Sequence, residues 1–113
     1  MEPPATLGAE ARKEWDRVAP VLADRNIATQ LDMTMLAMYC QHIGYATELH
    51  ALLERVSLRR DAPRWIALVR AHRQETQAAL RLAVEFGLTP SSRVRLGIPN
   101  NRKASEIVKK YFS

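Results

Sequence analysis

Two long stretches of this chain, Thr29 to Val56 and Pro63 to Phe86, repeat apolar side chains at helical spacing with no breaker strong enough to end a helix inside either. In the first, Met35, Met38, His42, Tyr45, Leu49, Leu52 and Val56 follow a 3-4 spacing, and Leu36, Tyr39, Cys40, Ile43 and Leu53 form a second apolar stripe beside it. One partner helix cannot cover both stripes. In the second stretch, Trp65, Leu68, Val69, His72, Thr76, Ala79, Leu80, Leu82, Ala83 and Phe86 mark the apolar side, and Arg70, Gln74, Gln77, Arg81 and Glu85 the polar one. A short polar link, Ser57 to Pro63, joins them. The pattern predicts an all-α fold built on a long antiparallel hairpin of helices 2 (from about Leu31) and 3 (about 63–86).

A helix of about 25 residues is ~37 Å long at ~1.5 Å per residue, more than a domain of 113 residues needs to fill its own core. The excess apolar face is expected to be an interface between copies. Its candidate residues are Met35, Met38, Tyr45, Leu49 and Leu52 on helix 2, with Trp65 and Leu68 on helix 3.

The flanks fill in the rest. Leu7, Ala11, Trp15, Val18, Ala19 and Leu22 predict helix 1 over about 9–25, with Trp15 as a core anchor. Pro20 removes a backbone donor there, so a kink or restart near Ala19 is expected. Glu10 and Glu14 read as solvent-facing charges. Thr29-Gln30-Leu31-Asp32 has capping-box spacing, and Gly87 stands where a positive-φ residue closes helix 3. Thr89-Pro90 starts a short C-terminal helix, 90 to about 96, which Gly97-Ile98-Pro99 ends. Residues 1–97 are therefore expected to form one domain. Residues 98–113 form a basic tail, mobile until it binds, in which Ile107, Val108, Tyr111 and Phe112 mark one apolar face.

Hydrophobic residues make up 47% of the chain but aromatics only 6%, and there are four glycines, which suits aliphatic helix packing rather than sheet. The single cysteine, Cys40, rules out an intrachain disulfide. The sequence has no signal-peptide pattern and no apolar run long enough to span a bilayer, so a soluble, cytoplasmic protein without membrane contact is expected. Common phosphate-loop, dinucleotide, zinc-protease and nucleophile-elbow motifs are absent. His42, His50 and His72 lack the spacing of a metal site, and Cys40 has no adjacent base. No catalytic residue, metal or cofactor is expected.

Charge carries the functional signal. Residues 1–57 have a net charge of −3 and residues 58–113 one of +8. A basic half on a small protein points to a polyanion, usually nucleic acid. Arg93, Arg95, Arg102, Lys103, Lys109 and Lys110, with Arg59 and Arg60 in the link, are the candidate phosphate contacts. No base-reading motif accompanies them, and helices 2 and 3 are too long for a compact helix-turn-helix.

Three blocks carry a family resemblance: Pro3-Pro4-Ala5-Thr6-Leu7-Gly8-Ala9-Glu10-Ala11-Arg12-Lys13-Glu14-Trp15; the Leu31-Asp32 start with Tyr39-Cys40; and, most specifically, Ala83-Val84-Glu85-Phe86-Gly87-Leu88-Thr89-Pro90-Ser91-Ser92-Arg93-Val94-Arg95-Leu96. Over roughly residues 3–96 the chain resembles the P27 family of bacteriophage terminase small subunits. The resemblance implies a ring-type homo-oligomer in the bacterial host cytoplasm that binds double-stranded viral DNA and delivers it to the large terminase subunit, which does the chemistry. Family members commonly carry a Pro- and basic-rich arm ahead of the Pro-Pro-x-x-Leu block and a longer link between helices 2 and 3. The alternative is thus a satellite or prophage adaptor that binds another small terminase or the large subunit and redirects packaging. Charge reversal at Arg93, Arg95, Arg102 and Lys103 is expected to lower DNA binding while assembly survives; binding in a mobility-shift assay and mass in solution read the two effects separately.

Overall fold

The computed structural model describes residues 2–24 and 30–87, with side chains from residue 33 onward in the second segment. All regular structure in these residues is helical: α1 spans Ala9–Asp24, α2 Gln30–Leu53 and α3 Ala62–Glu85. The short helix expected over 90–96, the capping box at Thr29 and the basic tail lie outside the described residues. α2 is the central element, packing along both α1 and α3.

α1 is continuous through Pro20, so the restart expected near Ala19 does not occur. Proline deletes only its own N–H, which would have bonded the carbonyl four residues back, and Asp16 at that position is exposed to water. The buried face of α1 comprises Ala11, Glu14, Trp15, Val18, Ala19, Val21 and Leu22. It meets Leu36, Tyr39, Cys40 and Ile43 of α2 and Ala79, Ala83 and Phe86 near the end of α3, with Leu7 closing the entry to α1. A fully buried aliphatic side chain of this kind contributes about 1.5–3 kcal/mol. Of α2's two apolar stripes, the one beginning at Leu36 therefore faces the core.

Glu14 overturns a sequence expectation. Read as solvated, it is 1% exposed, and its Oε2 accepts a 2.7 Å hydrogen bond from the Tyr39 hydroxyl of α2. Ala11, Glu14, Val18 and Val21 share one 3-4-3 face of the helix, which carries the carboxylate inward with its apolar neighbours.

Gly44 sets how closely α1 can lie on α2. A Cβ added there would come within 3.0 Å of the Ala11 backbone N and 3.1 Å of its Cβ. A side chain at 44 would wedge the helices apart at their crossing. The α2–α3 link is held by backbone bonds from Asp61 N to Ser57 O at 2.9 Å and from Trp65 N to Asp61 O at 3.0 Å. Asp61 caps α3, accepting from Arg64 N at 3.3 Å, and Pro63 sits in the first turn, where its missing N–H has no helical partner to lose. At the other end Gly87 takes φ 70, as the sequence predicts, and its N–H bonds Val84 O at 3.1 Å.

Core packing stops part-way along the helix pair. Ala46 is the last fully buried residue of α2 and Ala79 the first of α3. Gly44→Val is expected to lower stability by about 1–3 kcal/mol, the cost of overpacking a tight contact, with part of the loss restored by adding Ala11→Gly. Urea midpoints followed by circular dichroism would measure both.

Candidate functional site

Beyond the core, residues 47–78 of the α2–α3 pair contain no fully buried side chain. Polar contacts cross the pair where the core ends and beyond it. His42 Nδ1 and Glu75 Oε2 lie 2.5 Å apart across the pair, both about a quarter to a third exposed. Nearer the link, the His50 and His72 rings stand 5.8 Å apart, while His50 Nε2 also meets Glu54 Oε1 at 2.9 Å. The three histidines thus have side-chain neighbours, and no group of three metal-ligating residues occurs among the described residues.

Several large apolar side chains on the outer surface are open. Tyr45 and Leu52 are each 45% exposed, Leu58 49% and Ile66 43%. Among the residues expected at an interface between copies, Met38, Tyr45 and Leu52 are exposed, Leu49, Trp65 and Leu68 are half-buried, and Met35 packs against the core. Tyr45 is held by the Gln41 amide, which donates to its hydroxyl at 3.1 Å. Leu58 and Ile66 are open as well but are not singled out by spacing. Ile66 falls one position off the Trp65–Leu68–Val69 stripe, and Leu58 sits in the link, where helical periodicity says nothing.

Of the candidate phosphate contacts, Arg59 and Arg60 are exposed on the α2–α3 link. Arg93, Arg95, Arg102, Lys103, Lys109 and Lys110 lie outside the described residues.

The buried polar groups make a structural rather than a chemical cluster. Cys40 is fully buried, and its thiol is pushed far above the ordinary value by burial first and then by the nearby Glu14 and Asp16 carboxylates. A thiol so disfavoured from ionising is not a nucleophile. Along α1 an open groove of about 360 Å³ is lined by Trp15, Asp16, Ala19, Pro20, Ala23 and Asp24, which supply two carboxylates but no histidine, thiol or hydroxyl to work with them. No helix of the described residues is long and apolar enough to cross a membrane.

A protein-family model described as "Phage terminase, small subunit" matches residues 11–103. Comparisons with curated proteins and with solved structures found no match. The family match covers α1, α2, α3 and the stretch that follows them, so it spans both the core and the open apolar faces.

Cys40 is expected to resist a thiol reagent at pH 8 in the folded protein and to react only as fast as the chain unfolds. Its folded value lies above the unfolded one near 9.0, so its contribution is complete below that pH. As the pH rises past that value the unfolded thiol ionises while the folded one does not. Stability should then fall by about 1.4 kcal/mol per pH unit, a loss absent in Cys40→Ala.

Proposed function

The chain belongs to the phage terminase small-subunit family, and from that premise we propose that it is a non-catalytic DNA-packaging subunit acting as a ring-shaped homo-oligomer. One observation carries the assembly part of this reading: from residue 47 to residue 78 nothing is fully buried, while Tyr45, Leu52, Leu58 and Ile66 each leave more than two-fifths of their surface open. Large apolar side chains left open on a helix pair that has no buried core at that end are candidates for burial against a neighbour. Burial of each of these side chains against a neighbouring copy would contribute on the order of 1 kcal/mol, about half the value for complete burial. The order of the cross-helix contacts, His42 with Glu75 and then His50 with His72, supports an antiparallel α2–α3 hairpin whose far half is offered to neighbours.

In this reading residues 1–97 form the domain that assembles, and Met35, Met38, Tyr45, Leu49, Leu52, Trp65 and Leu68 contribute to the contact between copies. Double-stranded viral DNA is bound by the basic residues Arg93, Arg95, Arg102, Lys103, Lys109 and Lys110, helped by Arg59 and Arg60. Binding of this kind is dominated by phosphate and falls steeply with salt. The ring then recruits and regulates the large terminase subunit, which supplies ATPase and nuclease activity, in the cytoplasm of the bacterial host.

Native mass spectrometry of the chain, alone and with a large terminase, together with a salt titration of DNA binding, tests the proposal. The expected result is a closed multimer whose DNA affinity drops with salt. A monomer or dimer without DNA affinity at low salt contradicts it, and capture of another small terminase by such a chain would assign it the role of an adaptor that redirects packaging. Leu52→Lys with Ile66→Lys is expected to shift the mass toward the monomer and leave the helical circular-dichroism signal intact.

A further inference from the structure

We propose that the groove along α1 is a docking surface for this chain's own basic C-terminal segment, residues 102–112, and that duplex DNA competes with the groove for that segment. The docking stands on the groove itself, whereas the competition rests on the packaging reading above. Trp15, Asp16, Ala19, Pro20, Ala23 and Asp24 line the groove, so four apolar residues are accompanied by two carboxylates. Asp16 and Asp24 are exposed, and neither side chain has an ion pair or hydrogen bond with the described residues. Such a depression is complementary to a segment that is apolar along one side and cationic beside it.

Residues 102–112 have that character. They carry four cations against one carboxylate, Glu106. Lys103 and Lys110 are seven residues apart and Asp16 and Asp24 eight, so each pair spans about two turns, or ~11–12 Å, along a helix. On the amphipathic helix that the sequence suggests for the segment, Ile107 and Tyr111 fall on the strip next to the two lysines. The lysines would then meet the carboxylates while these side chains cover the apolar part of the groove.

The chain leaves the described region close to α1, because Phe86 packs in one core cluster with Trp15 and Ala19. The fifteen residues 88–102 span at most ~50 Å at ~3.3 Å each, against ~24 Å for the 16 residues of α1, so the groove is within reach. Attachment to the same chain sets an effective concentration on the order of millimolar, at which contacts too weak to join separate molecules are still made. Long-range charge acts in the same direction: the half of the chain that contains the groove is net acidic, and the half that contains the segment is net basic.

The test is a zero-length carbodiimide cross-link on the full-length protein at low salt, mapped by mass spectrometry, since this reagent joins a lysine amine only to a carboxylate in direct contact. The expected product links Lys103 or Lys110 to Asp16 or Asp24 within one chain, as mixing heavy-isotope-labelled and unlabelled protein would reveal. It should vanish at about 1 M salt, where the Debye length is about 3 Å, and in Asp16→Asn with Asp24→Asn. Tail lysines linked to Glu2, Glu48 or Glu54 and not to the groove overturn the inference. So does a groove link found only between labelled and unlabelled chains, which assigns the surface to a neighbouring copy.

DNA titration supplies the second readout. A segment docked about nine-tenths of the time binds DNA about tenfold more weakly than a free one, so Asp16→Asn with Asp24→Asn should tighten binding by up to about tenfold. Glu2→Gln with Glu48→Gln removes the same charge outside the groove, at two exposed positions, and should give a much smaller gain. Equal gains from the two pairs overturn the competition. A groove cross-link in a protein that binds no DNA even at low salt supports the docking and contradicts the packaging reading, so the two fail separately.

Discussion

α1 packs against α2 as far along as Gly44, and the closeness of that contact decides what the remaining surface must do. At Gly44 the two backbones approach until only a hydrogen fits between them and Ala11, which brings Trp15 and Tyr39 into one core and places the Glu14 carboxylate under the Tyr39 hydroxyl. A buried carboxylate is costly unless hydrogen-bonded. Its pairing with Tyr39 therefore ties α1 to one register on α2, because a shift of one residue would rotate the carboxylate away from its partner. α1 is 16 residues long against 24 for α2, so it runs out before α2 does.

That difference in length separates the molecule into two regions with different chemistry. Around α1 the core is aliphatic and aromatic, closed by the small residues Ala79 and Ala83 of α3 and by Phe86. The α2–α3 pair is crossed by the His42–Glu75 contact where the core ends and, past Ala46, is held by half-buried apolar contacts and the facing His50 and His72 rings. Outward-facing Tyr45, Leu52 and Ile66 lie along it, and the arginine-bearing link closes its end. An apolar flank with a basic end is what a subunit that meets both its own kind and a polyanion requires.

Most of the architecture was legible because helical periodicity is a local property. α2 and α3 begin within a residue of where spacing places them, and Gly87 has the positive φ that its position after Phe86 implies. The misses share a cause: they depend on what another helix contributes. Glu14 looks solvated until Tyr39 of α2 supplies its donor, although the 3-4-3 spacing with Ala11, Val18 and Val21 was a signal in the sequence. Pro20 promised an interruption, but α1 runs through it, and Asp16, four residues back, is exposed. The role of Gly44 shows only in the fold, where Ala11 of α1 stands within 3.0 Å of the place a Cβ would take. At the outer surface, spacing marked Tyr45 and Leu52 as interface residues but not Leu58, which lies in the link where periodicity is silent, or Ile66, which is one position off the α3 stripe.

The stop in core packing between Ala46 and Ala79 also implies a gradient of rigidity along a single pair of rods. Backbone amides beside Trp15 and Tyr39 can exchange with solvent only when most of the fold opens, whereas those near the link are protected by little beyond their own helical bonds. An isolated subunit would thus be firm at one end and breathing at the other. In the assembly proposed above, contact with neighbours would quieten the breathing end and make order in the outer half a collective property.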